Sequence, residues 1–99
     1  MEHHVYFWLK EENQNAADRA VFEQGLDSLF KIGLVTGGRW AVPAKVMLRP
    51  VIDQSWDYAL SMQFANVEDH DAYQVDADHH AFISTFKEWW AKVLVMDLA

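Results

Sequence analysis

The sequence predicts one small α+β domain: a four-stranded antiparallel sheet with its helices on a single face. Three observations predict it. Residues 3–10, 56–65 and 92–98 alternate as strands do, with side chains pointing to opposite faces. Two stretches between them repeat their apolar residues at the helical period. Apolar residues also line both faces of the first strand, so that strand lies between two layers.

The first strand, 3–10, carries His3, Val5, Phe7 and Leu9 on one face and His4, Tyr6 and Trp8 on the other. Asn15, with Asp18 three residues later, reads as a helix start of the capping-box kind. A helix is expected from there to about Ile32. Phe22, Leu26, Leu29 and Phe30 form its apolar stripe, Gly25 allows a close approach, and Gly33 marks its end. Gly37-Gly38 reads as a turn or bulge. Residues 39–42 and 45–48 are strand-like and are separated by Pro43, which sheets tolerate only at edges and bulges. They are expected as a hairpin or one broken edge strand. Residues 51–55 read as a loop.

The strand at 56–65 places Trp56, Tyr58, Leu60, Met62 and Phe64 on one face. Its other face, Asp57, Ala59, Ser61, Gln63 and Ala65, is small and polar. Asn66 and Asp69 predict a helix running through Tyr73. A second helical stretch opens near Asp76 or Asp78, with His79, Phe82, Ile83, Phe86 and Trp90 on one face. The last strand, 92–98, sets Leu94, Met96 and Leu98 opposite Val93, Val95 and Asp97. The order β-α-β-β-α-β is the ferredoxin-like arrangement. Its helices cover one face of the sheet, and the bare face, with Tyr6 and Trp8, is expected to pack on a second copy.

Composition narrows the function classes. The chain has 99 residues, 52% of them hydrophobic and 14% aromatic, which is more apolar surface than so small a core buries. Its net charge of −7 and lack of a basic cluster argue against nucleic acid and anionic membranes as partners. Without cysteine there is no disulfide, thiolate nucleophile or Cys-based metal site. No apolar run is long enough to span a membrane, and the start lacks a signal-peptide layout, so a cytoplasmic location is expected.

Four motifs resemble the stress-responsive dimeric A/B barrel (Dabb) family. His3-His4-Val5-Tyr6-Phe7-Trp8-Leu9-Lys10 is similar to its opening H-x-V-x-F-K-[FL]-K strand. Residues 51–60 resemble its D-x-S-x-D-x-x-L segment. The run from Phe64 through Tyr73 to His79 and Phe82 resembles F-x-[SN]-x-E-x-x-x-x-Y-x-x-x-P-x-H-x-x-F, and 89–97 resembles the W-x-K-x-x-x-x-D ending. The resemblance implies a ferredoxin-like protomer and a homodimer whose two sheets form one barrel. It implies no single function. Many bacterial members are uncharacterised. Plant members include a boiling-stable stress protein, an antifungal protein and a cofactor-free polyketide cyclase that uses a Tyr and a His as acid and base.

By position, Tyr73 and His79 match that pair, and His3 matches the strand-one histidine. Tyr58 falls where the cyclase has another cavity histidine, and Asp76-Ala77 stand in place of the usual His-Pro. Tyr73 and His79 are thus the candidate acid–base residues. His3, Tyr58 and Phe82 are the candidate ligand-pocket residues, and Tyr6 and Trp8 the candidate dimer interface. The bland alternatives are a buried, hydrogen-bonded His79 and an amphipathic core Tyr73. No cofactor is expected. No metal is expected either: His3 and His4 point to opposite faces, no H-E-x-x-H spacing occurs, and Asp69-His70-Asp71 and Asp76-x-Asp78 read as solvated helix starts.

Three functional readings follow. The first is a homodimeric stress-responsive A/B barrel protein with a small apolar pocket. The second is a cofactor-free cyclase- or lyase-like enzyme acting on a small hydrophobic, polyketide-like carbonyl compound through Tyr73 and His79. The third, ranked lower, is a cofactor-independent monooxygenase of the same barrel fold.

Overall fold

A computed structural model describes residues 1–99. Strand β1 is Glu2–Leu9, helix α1 Ala16–Leu29 and strand β2 Gly37–Ala41. Strand β3 is Tyr58–Gln63. Helices α2, Val67–Gln74, and α3, Ala77–Phe86, follow, and strand β4, Trp90–Leu98, ends the fold. The sheet is antiparallel in the order β2-β3-β1-β4. This is the expected four-stranded ferredoxin-like architecture, with the second helical region split in two at Val75 and Asp76. No helix is long and apolar enough to cross a membrane.

Local chemistry sets the helix starts. Asn15 Oδ1 accepts from the Asp18 N–H at 2.8 Å, and Asn66 Oδ1 does the same for Asp69 at 2.8 Å. Asp76 caps α3 by accepting from the Asp78 N–H at 2.8 Å. Such caps satisfy donors that have no partner inside the helix. Helix α1 lays Phe22, Leu26 and Leu29 on the sheet, each such burial stabilising by about 1.5–3 kcal/mol. A Cβ on Gly25 would come within 2.4 Å of the Phe86 ring, so α1 and α3 touch there only because residue 25 is glycine.

The molecule is only 18 Å across its shortest axis, which fits one sheet and one helical layer. Val5, Phe7, Leu9, Tyr58, Leu60 and Met62 are buried on the helix side. The opposite face keeps Tyr6 and Trp8 only half-buried, beside exposed Met96 and Leu98.

Several expectations need correction. Residues 45–48 form no strand. After Pro43 the chain leaves the sheet edge and runs without regular structure to Asp57. Gly37-Gly38 is not a turn but the start of β2. Gly38 has φ +115°, and a Cβ there would meet the Ser61 carbonyl at 2.0 Å, so the strand admits only glycine. Helix α1 stops at Leu29, ahead of Gly33. Trp90 is not on a helix but opens β4, where a register shift at Leu9 accommodates it. Trp56 precedes β3 and does not share the Tyr58 face. Its ring stands edge-on to Tyr6, centroids 5.4 Å apart, on the bare face. The cause is a local tie: the Asp57 N–H donates to the Phe7 carbonyl at 2.8 Å, and the Asp57 carboxylate accepts from the Leu9 N–H at 2.8 Å and from Arg19 at 2.9 Å.

Candidate functional site

Strand β1 points His3, Val5 and Phe7 toward the helices. Antiparallel pairing sets Asp97 across from His3, Val95 from Val5 and Val93 from Phe7. On α2, His70 and Tyr73 lie three residues apart and share a face. On α3, His79, Phe82 and Ile83 share another. These three surfaces border a half-open cavity of about 320 Å³, at the small end of ligand pockets. Its walls are mostly apolar, from Val5, Phe7, Leu60, Phe82, Ile83, Val93 and Val95, and its polar groups come from His3, His70, Tyr73, Gln74, His79, Trp90 and Asp97.

Two polar atoms in this lining are unusual. His79 Nδ1 and Trp90 Nε1 are buried and make no hydrogen bond of good geometry, the Gln74 carbonyl being the backbone group that acts on the His79 ring. A buried polar group left unpaired costs about 1–3 kcal/mol, and nearly all such groups in folded proteins are paired. Both residues line the same cavity. The His79 ring also lies against Tyr73, centroids 4.3 Å apart with the planes at 41°.

At the other end, His3 Nδ1 and Asp97 Oδ1 lie 2.5 Å apart. His70 approaches the same carboxylate oxygen at 3.6 Å through Nε2, and its Nδ1 lies 3.2 Å from Asp71 Oδ1. The His3 and His70 ring centroids are 5.0 Å apart. One ligand atom each from His3, His70 and Asp97 falls within 4.8 Å of the others.

Burial sets the protonation states. It pulls the His79 imidazole below its ordinary 6.5, and it pulls His3 down too, against the opposing pull of Asp97. Burial, reinforced by the Asp76 charge, pushes the Tyr73 phenol above its ordinary 10.0. At neutral pH His3 and His79 are therefore neutral imidazoles, and the Tyr73 phenol keeps its proton.

The structure brings Tyr73, His79, His3 and Phe82 together in the cavity lining. It does not bring Tyr58 with them. The Tyr58 hydroxyl donates to Glu23 Oε2 at 2.6 Å and the Arg19 guanidinium lies 5.4 Å from its ring, so Tyr58 plugs the contact between α1 and β3. The sequence reading missed His70, Trp90 and Asp97. The solvated helix start expected at Asp69-His70-Asp71 holds for exposed Asp71, whereas the His70 side chain is 13% exposed and turned inward. Its spacing from Tyr73 was the available signal. Asp97 becomes visible only through its register with His3.

Over residues 1–99 the chain matches the Stress Responsive A/B Barrel Domain, Dabb. Among curated proteins, no sequence matches it. A crystal structure of an Arabidopsis thaliana protein is similar at TM-score 0.83 and 18% identity, covering 99% of this chain and 92% of that one. A dimeric ferredoxin-like protein of unknown function from Thermobifida fusca superposes at TM-score 0.78 with 15% identity, covering 99% and 88%. The hydroxynitrile lyase of Passiflora edulis does so at TM-score 0.75 with 16% identity, covering 96% and 87%.

Proposed function

Because the chain belongs to the stress-responsive A/B barrel domain family, we propose that it acts as a homodimer and that each subunit's cavity binds a small, mainly apolar compound bearing a hydrogen-bonding oxygen. The observation that carries the ligand is the pair of unpartnered atoms, His79 Nδ1 and Trp90 Nε1, in one apolar-walled cavity. The Trp90 N–H can only donate, so it suits a carbonyl or carboxyl oxygen. His79 Nδ1 accepts from a hydroxyl in one tautomer and donates to an oxygen in the other.

The dimer rests on apolar surface that one copy leaves open. Tyr6, Trp8, Trp56, Leu94 and Met96 line a groove on the bare sheet face. A second copy on this face buries that groove, and the Thermobifida fusca structure of the same fold is described as dimeric.

Acid–base chemistry at this site is the second reading, and the contact of the Tyr73 and His79 rings favours it. A neutral imidazole takes a proton from a substrate hydroxyl, while the phenol donates a hydrogen bond to the oxygen that becomes negative. The structural likeness to a hydroxynitrile lyase makes cyanohydrin cleavage the first reaction to assay. In it, removal of the hydroxyl proton releases cyanide and leaves a carbonyl compound.

Titration with benzaldehyde and acetophenone, followed by tryptophan fluorescence, tests the binding reading. Saturable binding is expected, weakened about tenfold in His79→Ala and Trp90→Phe, the loss of about 1.4 kcal/mol that one hydrogen bond contributes. Equal binding by wild type and both variants would sink it. Release of benzaldehyde from mandelonitrile, absent in Tyr73→Phe and His79→Ala, tests the enzyme reading.

A further inference from the structure

His3, His70 and Asp97 come from β1, α2 and β4 and converge at one end of the cavity. A buried histidine needs a partner, and His3 already has one in Asp97. His70 Nε2 accepts from the Gln74 side-chain amide at 3.2 Å and so faces the same carboxylate oxygen, 3.6 Å away, as a second acceptor. A metal ion taken up between the two would displace the Gln74 bond and serve both. Ligand atoms bound to a tetrahedral zinc ion at about 2.0–2.1 Å lie about 3.3 Å from one another. The 3.6 Å between His70 Nε2 and Asp97 Oδ1 is close to that edge. The 2.5 Å between His3 Nδ1 and Asp97 Oδ1 is a hydrogen bond, and it opens to the same edge with a movement of about 1 Å or less. His70 also has the outer support typical of a ligand. Its other nitrogen faces the Asp71 carboxylate at 3.2 Å, and metal-bound histidines are oriented by such partners.

We propose that His3, His70 and Asp97 form a site for a single divalent transition-metal ion of the zinc class. Two imidazoles and a carboxylate suit zinc and cobalt and offer nothing to a soft ion that demands sulfur. Three protein ligands would leave a position free, the arrangement of zinc sites that act on a bound molecule, and all three residues line the cavity. The ion does not depend on the organic ligand proposed above, since its three ligands are set by the β1–β4 register and by α2.

The test uses the full chain, stripped with EDTA and then freed of chelator. Addition of CoCl2 is followed by visible absorption, and addition of ZnCl2 by calorimetry. We expect one cobalt ion per chain, with the intense absorption of a four- or five-coordinate ion, displaced by one equivalent of zinc. His70→Ala and Asp97→Asn each weaken zinc binding by at least about tenfold. His80→Ala, whose ring bonds the Gln74 carbonyl outside the cluster, leaves it unchanged. A wild-type spectrum no different from aqueous cobalt overturns the proposal, whatever the variants do. So does a wild-type site that His70→Ala and Asp97→Asn both retain in full, because the ion then sits on other histidines.

Discussion

His3 Nδ1 and Asp97 Oδ1 meet at 2.5 Å across directly paired positions of the first and last strands. The contact fastens the ends of the fold to each other, and its acceptor is also one of the proposed metal ligands. Its loss leaves the buried His3 ring without its partner. In metal-free buffer, Asp97→Ala is expected to cost about 1–3 kcal/mol in urea denaturation, and Asp97→Asn, which keeps an acceptor, less. An Asp97→Ala protein as stable as wild type would show that the bond is not held in solution.

The lowered His3 and His79 values make acid unfavourable to the fold. The unfolded chain takes up these protons near 6.5, while the folded chain resists them to lower pH. Between the two values the unfolded state holds more protons, so stability is full above about pH 6.5 and falls as pH drops through that window. Denaturation midpoints measured from pH 8 down to pH 5 without metal should show this decline. His79→Leu should flatten it, and an unchanged slope in that variant would mean that His79 does not contribute.

Tyr6 lies at the centre of the bare face, with Trp56 edge-on to it and the paired Leu94 beside it. Two copies joined there would bring two such residues into one apolar layer. Tyr6→Glu then places a carboxylate from each copy in that layer, a cost of several kcal/mol. Sedimentation at micromolar concentration should give a dimer for wild type and a folded monomer for Tyr6→Glu. A wild-type monomer, or a Tyr6→Glu dimer of undiminished affinity, would rule this face out as the interface.

Gly25 presents a contest between two effects. Alanine there favours the helix by about 1 kcal/mol. Its Cβ would also lie 2.4 Å from Phe86 Cε2, and overpacking of this kind costs about 1–3 kcal/mol. The ring is wedged against Phe22, Phe82 and Trp89, so it has little room to yield. Gly25→Ala is expected to lower the thermal midpoint. A rise would mean that α3 shifts outward at little cost.

How much of this was legible follows from how far each signal reaches along the chain. Alternation revealed β1 and β4, and capping residues placed the starts of all three α-helices, because those patterns depend on near neighbours. The strand-like stretch at 45–48 misled for a physical reason. A sheet edge past Pro43 needs a partner strand, and propensity says nothing about whether one exists. Trp56 misled because the hydrogen bonds at Asp57 stop the alternation one residue after it. Tyr73, His79 and His3 were found through the motifs that resemble the family, and the helical period added only that His79 and Phe82 share a face. Asp97 needed the β1–β4 register, and Tyr58 needed Glu23, which belongs to another element. The binding end of the cavity was readable in one dimension, whereas the His3–His70–Asp97 end exists only after folding.

His79 offers the sharpest separation of stability from function. Its Nδ1 is buried without a hydrogen bond of good geometry, so its desolvation is offset only by the Gln74 carbonyl and the Asp76 charge. Leucine has similar bulk and no polar atom. His79→Leu is therefore expected to leave stability at pH 7.5 unchanged or raise it by up to about 1 kcal/mol. The same substitution should weaken benzaldehyde binding about tenfold, as the loss of one hydrogen bond does. A marked loss of stability would show that Nδ1 has a partner in solution and would remove the main support for a ligand at this end. A stable variant that still binds benzaldehyde with wild-type affinity would take His79 out of the site and leave Trp90 and Tyr73 to hold the oxygen.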